Sequence, residues 1–201
     1  VLQNELDIVM CLTKKWLLSL NIGKCKVLAM GKGAGSFDYE VDIVSGRVRL
    51  ERSALERDLG VQVDSELTFQ EHIWGKVKTA NKMVGLIRRN FGEAGAHSLM
   101  LIYKAMVRPH LEYAQAVWSS YKVKLVEALE KVQKRATKLI PGCGKLGYEE
   151  RLKRLKLPSL VYRRWRGDMI TTFRILNGLC DEGSGPELAR NEYQATRGQS
   201  E

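Results

Sequence analysis

Three sets of residues in this 201-residue chain are of types that could do chemistry: the carboxylates, the thiols and imidazoles, and a large surplus of lysine and arginine. Two-metal phosphoryl transfer needs carboxylates that converge on one cation pair. The 10 acidic residues of 1–70 are instead scattered, with no Asp-Asp pair among them. Cys11, Cys25, Cys143 and Cys180 form no C-x-x-C pair, and His72, His97 and His110 supply no H-x₃-H spacing, so neither a metal site nor a resident cofactor is expected. Scattered thiols, with no basic-then-apolar leader, read as reduced cysteines of an intracellular protein, nuclear or cytoplasmic rather than secreted. The stretch Gly31-Lys32-Gly33-Ala34-Gly35-Ser36 has the composition of a phosphate loop. Such a loop must feed a helix N-terminus, whereas the residues after it alternate as a hairpin, so a plain turn is expected. Glu71-His72 stands at the start of a helix, where the macrodipole favours an acid.

The basic residues carry more. Residues 1–70 hold 9 basic and 10 acidic side chains, residues 71–180 hold 22 and 8, and residues 181–201 hold 2 and 5. One stretch of 110 residues therefore carries +14 in a chain of net charge +10, which is the footprint of a phosphate-binding surface rather than of general solubility. Lys78, Lys82 and Arg89 fall at i, i+4 and i+11 of one helix, and none has a carboxylate four residues before it. Glu127 and Glu130 are well placed to pair with Lys131 and Lys134, which leaves Lys124, Arg135 and Lys138 available. Arg163, Arg164, Arg166 and Arg174 have only Asp168 nearby in sequence. Contact with nucleic acid is the expectation, with a plain solvated helical surface as the alternative.

The elements that must position these residues follow from hydrophobic period. Leu2, Leu6, Val9, Thr13, Trp16 and Leu20 step as one helix face that Gly23 should end. Lys24–Met30 alternates in part; Tyr39–Ile43 and Val48–Leu50 flank a Ser45-Gly46 turn as a hairpin, and Leu59, Val61 and Val63 give another strand. The period then becomes helical: one helix over 69–91, another over 96–108 that Pro109 breaks or kinks, a third over 122–140 closed by Pro141-Gly142, and a short one around 149–156. The last helix opens at Pro158 and carries Val161, Trp165, Met169, Thr172 and Leu176 to Gly178. Trp16, Trp74, Trp118 and Trp165 could be stacking platforms, but three fall on or beside apolar faces, which favours core packing. The expectation is an α+β chain: an N-terminal helix with a small, mainly antiparallel sheet over 1–66, a mainly α-helical bundle over 67–178, and a polar tail over 179–201. The longest apolar run, Ile8–Leu12, is far short of the ~18 residues that span a bilayer, so no membrane partner is expected.

Several blocks of the sequence, in order, resemble the reverse transcriptase of LINE-type (non-LTR, jockey-like) retrotransposons. They are Trp16 with Leu18–Val27, Asp58-Leu59-Gly60-Val61, Leu67-Thr68-Phe69 with His72-Ile73, Tyr103-Lys104 with Val107-Arg108-Pro109 and Leu111-Glu112-Tyr113, Val117-Trp118, Val132–Lys138, Tyr148–Leu152, and Arg163-Arg164 with Arg166-Gly167-Asp168. The resemblance spans about 2–198. It implies that helix 2–20 is the last helix of a polymerase palm, that Lys24 matches a lysine assisting pyrophosphate departure, and that Leu59-Gly60 matches the primer grip. It implies that residues from about 67 onward are the thumb and connection, binding an RNA–DNA hybrid or other nucleic acid. The family's Mg²⁺ is held by aspartates of an A-D-D hairpin, and no A-D-D occurs in residues 1–201. The implied state is therefore a fragment, opening on Val1 and dependent on an upstream palm and fingers, inactive as a polymerase by itself. Gly60 fits the close approach of a nucleic-acid backbone, with a bulge an equal explanation.

Overall fold

The computed structural model describes residues 2–31, 37–43 and 46–180. Residues 32–36 of the glycine-rich loop, Ser45 of the expected turn and residues 181–201 of the tail lie outside them. The class is α+β, and the chain divides into two compact units, Val1–Leu146 and Gly147–Glu201.

In the first unit, α1 (Leu2–Lys15) stops five residues before the expected Leu20. Leu17 takes the left-handed conformation (φ 54°), and the Leu17 and Leu18 amides donate back to the Lys14 and Thr13 carbonyls, closing the last turn. Trp16 and Leu20 therefore fall outside the helix, and Gly23 lies in a 3₁₀ turn, Ile22–Lys24. The expected single sheet is three separate two-stranded ladders. Strand β1 (Lys26–Leu28) pairs in parallel with β4 (Glu51–Ser53), while β2 (Glu40–Ile43) with β3 (Gly46–Arg49), and β5 (Leu55–Asp58) with β6 (Val61–Asp64), are antiparallel. The Gln3 side chain ties α1 to β2, donating to the Glu40 carbonyl at 2.8 Å and accepting from its amide at 3.1 Å. A small core of Met10, Val41 and Leu50, flanked by Leu6, Ile22, Val27 and Tyr39, lies beneath.

Asp64, at the end of β6, shapes the entry to α2 (Gln70–Asn90). Its carboxylate accepts from the amides of Glu66, Thr68 and Phe69 and from the Thr68 hydroxyl. Burial would raise its pKa, but these donors outweigh burial and hold it below the ordinary carboxylate value. Helix α2 buries Ile73, Val77, Ala80, Val84 and Ile87, in keeping with the helical period expected over 69–91, and packs chiefly on α6 (Val123–Lys138), then on α4 (Arg108–Glu112) and the π-helical turn Tyr103–Val107, and less on β6.

The expected helix over 96–108 is α3 (Ala96–Ile102), a π-helical turn over Tyr103–Val107 and α4 (Arg108–Glu112). Pro109 does not break it. The residue falls at the start of α4, directly after the π-helical turn, where the bonding pattern is already irregular. The π turn is cross-linked to α6 by Tyr103 Oη donating to Gln133 Oε1 at 2.5 Å inside the core. Helix α5 (Gln115–Trp118) ends on Trp118, the largest fully buried side chain.

In the second unit, α7 (Tyr148–Leu155) and α8 (Leu160–Leu176) match the expected short and last helices. Ser159, not Pro158, caps α8, its hydroxyl accepting from the Tyr162 amide. The expected apolar face of α8 is reversed. Trp165, Met169, Thr172 and Leu176 face solvent, and the buried residues are Leu160 and Arg164.

Candidate nucleic-acid interface

On α2, Lys78, Lys82 and Arg89 are all exposed and project opposite the buried stripe. Trp74, one turn before Lys78, is 38% exposed, so an aromatic surface adjoins the cationic row. On α6, Lys124, Arg135 and Lys138 are exposed and share one face, since 11 and 14 residues of α-helix return nearly to the starting direction. Among the described residues none of these six cations is in an ion pair, whereas Lys131 is held by Glu127 at 3.7 Å, as its spacing predicts. Arg135 donates to Asn81 Oδ1 at 2.8 Å. That bond reaches from α6 to α2 beside Lys82 and one turn from Lys78, so the two rows meet, and the neutral amide leaves the guanidinium charge uncancelled.

Leu59 and Gly60 form the two-residue turn of the β5–β6 hairpin, with Asp58 opposite Val61. Both have positive φ, 44° and 86°, as a right-twisted hairpin of this length requires. Glycine adopts this readily; leucine does not, and the Leu59 side chain is 84% exposed. A locally strained, exposed apolar residue at a turn tip is therefore presented rather than packed. The tip is tied down from the residue that follows α4, where Tyr113 Oη donates to the Leu59 carbonyl at 2.9 Å. The Tyr113 carbonyl in turn accepts from the buried Trp118 Nε1 at 2.6 Å. Tyr113 and Trp118 thus position the hairpin, a role invisible in spacing because the partners are more than 50 residues apart.

Lys24 is exposed at the end of its 3₁₀ turn. Among the described residues no group of three His, Cys, Asp or Glu side chains is placed to hold a metal ion. The four cysteines are free thiols, with Cys143 buried and Cys11 exposed. Among the described residues no helix is long and apolar enough to cross a membrane. In the second unit, Arg166 is exposed and Arg163 partly so, but Arg164 is only 5% exposed and engaged within the protein, so it does not offer its guanidinium to a surface ligand. Of the four tryptophans only Trp118 is core; Trp16 and Trp165 are 71% and 69% exposed, against the expectation of packing.

His72 is the residue that sequence reading missed. It is 2% exposed, its Nδ1 accepts from the Gln62 amide at 3.1 Å, and its ring lies 5.5 Å from that of Trp118. Burial, aided by the charges of Lys76 and Arg57, pushes its pKa down to about 4. It is therefore neutral at pH 7, and because Nδ1 accepts, the proton resides on Nε2.

The structure defines an α+β protein with two meeting cationic helix rows and a hairpin held over α2. No family model, no curated protein and no solved structure matches the chain.

Proposed function

We propose that the chain is the part of a non-LTR retrotransposon RNA-directed DNA polymerase that holds the primer–template, a palm edge followed by a thumb. The observation that carries this reading is the set of six exposed, unpaired cations on α2 and α6, with the rows joined at Asn81. Holding a hybrid without reading its sequence calls for backbone contacts from Lys and Arg on rigid helices. Support also comes from the exposed Leu59-Gly60 turn, the element that the sequence resemblance assigns to the primer grip. The chemistry would be supplied by carboxylates outside these residues. If about five phosphates are neutralised, log K should fall with log[salt] at a slope of about −3.5 on single strands and about −4.5 on duplex. Fluorescence anisotropy against salt measures it, and affinity that ignores salt would end the reading. A second reading, a basic protein adaptor, is favoured by one observation, the exposed Trp165, Met169 and Phe173 of α8. Salt-insensitive retention of a protein partner without nucleic-acid binding would select it.

A further inference from the structure

Helix α8 (Leu160–Leu176) has two faces of opposite fate. Leu160 and Arg164 are buried, and Met169 stands about two and a half turns beyond Leu160, on the other side of the helix. On that side Tyr162, Trp165, Met169, Thr172 and Leu176 follow one another at steps of three, four, three and four, and all five are exposed. This is the spacing by which one helix receives another along its length. Tyr162, Trp165 and Phe173 are 57%, 69% and 60% exposed and Met169 is 72% exposed. With aromatic side chains of about 150–250 Å² each, the three rings alone leave roughly 300–450 Å² of surface in solvent. Met169 and Leu176 bring the patch to roughly 500 Å², near the upper end of what a monomer exposes.

The order of side-chain sizes along the stripe indicates which helix fits it. The bulky Trp165 and Met169 fall in the N-terminal half, and the smaller Thr172 and Leu176 in the C-terminal half. A second copy of α8 laid antiparallel, with the two-fold axis between Ile170 and Thr171, sets Trp165 against Leu176 and Met169 against Thr172. Symmetry repeats each pair, so bulky meets small in every layer. The same register brings the exposed Arg166 alongside Phe173 of the second copy, a guanidinium-on-ring contact at the border of the stripe. A parallel copy would instead oppose Trp165 to Trp165 and Thr172 to Thr172, with the helix dipoles aligned unfavourably.

We propose that α8 is a self-complementary face through which two copies of this chain associate, antiparallel, as a weak symmetric dimer. Two such patches bury roughly 1,000 Å² in total, below the standard size for stable complexes, so dissociation falls in the micromolar range. Each copy carries a net charge of +10, which opposes association. Added salt screens that repulsion and tightens the dimer, whereas it weakens nucleic-acid binding by α2 and α6. The dimer does not depend on the nucleic-acid reading above, and the opposite salt responses keep the two apart.

Sedimentation velocity on the full chain, freed of nucleic acid, should show monomer at about 1 µM and dimer by about 500 µM. Trp165→Glu should weaken association at least about thirtyfold, the scale of a buried aromatic anchor. An unchanged circular dichroism spectrum would show that this exposed position is not needed for folding. Met169→Glu and Thr172→Lys should each associate more weakly than the unmodified chain. Their equimolar mixture should associate more tightly than either, because the antiparallel register sets the two introduced charges against each other. A chain that stays monomeric throughout, or a dimer that survives Trp165→Glu or loosens with added salt, overturns the proposal. A dimer lost in Trp165→Glu but not recovered in the mixture overturns the antiparallel register. A monomer that pellets with anionic phospholipid vesicles through the same stripe overturns it in favour of a lipid surface.

Discussion

Helices α2 and α8 carry the same kind of sequence, apolar residues at three- and four-residue steps with basic residues between, yet their fates are opposite. In α2 every residue of the stripe from Ile73 to Ile87 is buried and the cations are outside. In α8 the stripe is outside and an arginine is inside. Period fixes which residues share a face; only a neighbouring element decides whether that face is covered. Helix α2 meets α6, α4, the π turn and β6, whereas α8 is left with Trp165, Met169 and Phe173 in solvent. Helix α1 stands between them, burying Met10 while exposing Ile8, Val9 and Leu12.

The largest effect should separate the two kinds of aromatic site. Trp118→Ala removes a fully buried ring and the bond to the Tyr113 carbonyl, and should cost about 3–5 kcal/mol in urea unfolding. Trp165→Ala, on the exposed stripe, should stay within about 0.5 kcal/mol. Comparable losses at both would show that α8 is covered in solution.

A smaller effect is set by pH. The folded His72 pKa lies below its unfolded value of 6.5, so the unfolded chain binds the extra proton more readily. The stability that depends on neutral His72 is complete above pH 6.5 and is lost as pH falls from 6.5 to about 4. The expected loss is about 1–3 kcal/mol, and a urea midpoint that stays flat over this window would contradict it. Asp64, held below its ordinary value by backbone donors, adds a loss beginning at lower pH.

The smallest effect is at the hairpin. Leu59→Gly relieves a left-handed leucine and should stabilise the fold by up to about 1 kcal/mol, visible as slower amide exchange in β5 and β6. If Leu59 contacts nucleic acid, the same change should weaken binding while raising stability.

These contrasts also show what could be read from the residues. Helices α2 and α6 were legible because a 3.6-residue period coincides there with real burial on both sides of one interface. The extent of α1 was misread because Leu17 adopts a conformation that a sequence reader assigns to glycine, and so looks to Gly23. Strands β4 and β5, Glu-Arg-Ser and Leu-Glu-Arg-Asp, are mostly exposed, so no alternation marks them. The cationic rows needed only spacing. The Tyr113–Leu59 bond, the Arg135–Asn81 bond and the unsatisfied His72 depend on partners brought together by the fold, and no local signal announces them.

Because Asn81 grips Arg135 with an uncharged amide, the guanidinium is fixed in space while its field stays intact. The electrostatic potential of the joined rows is thereby governed by a residue that bears no charge. Exchanging one nitrogen for oxygen, asparagine for aspartate, would leave both helices where they are and quench the surface at the seam between them.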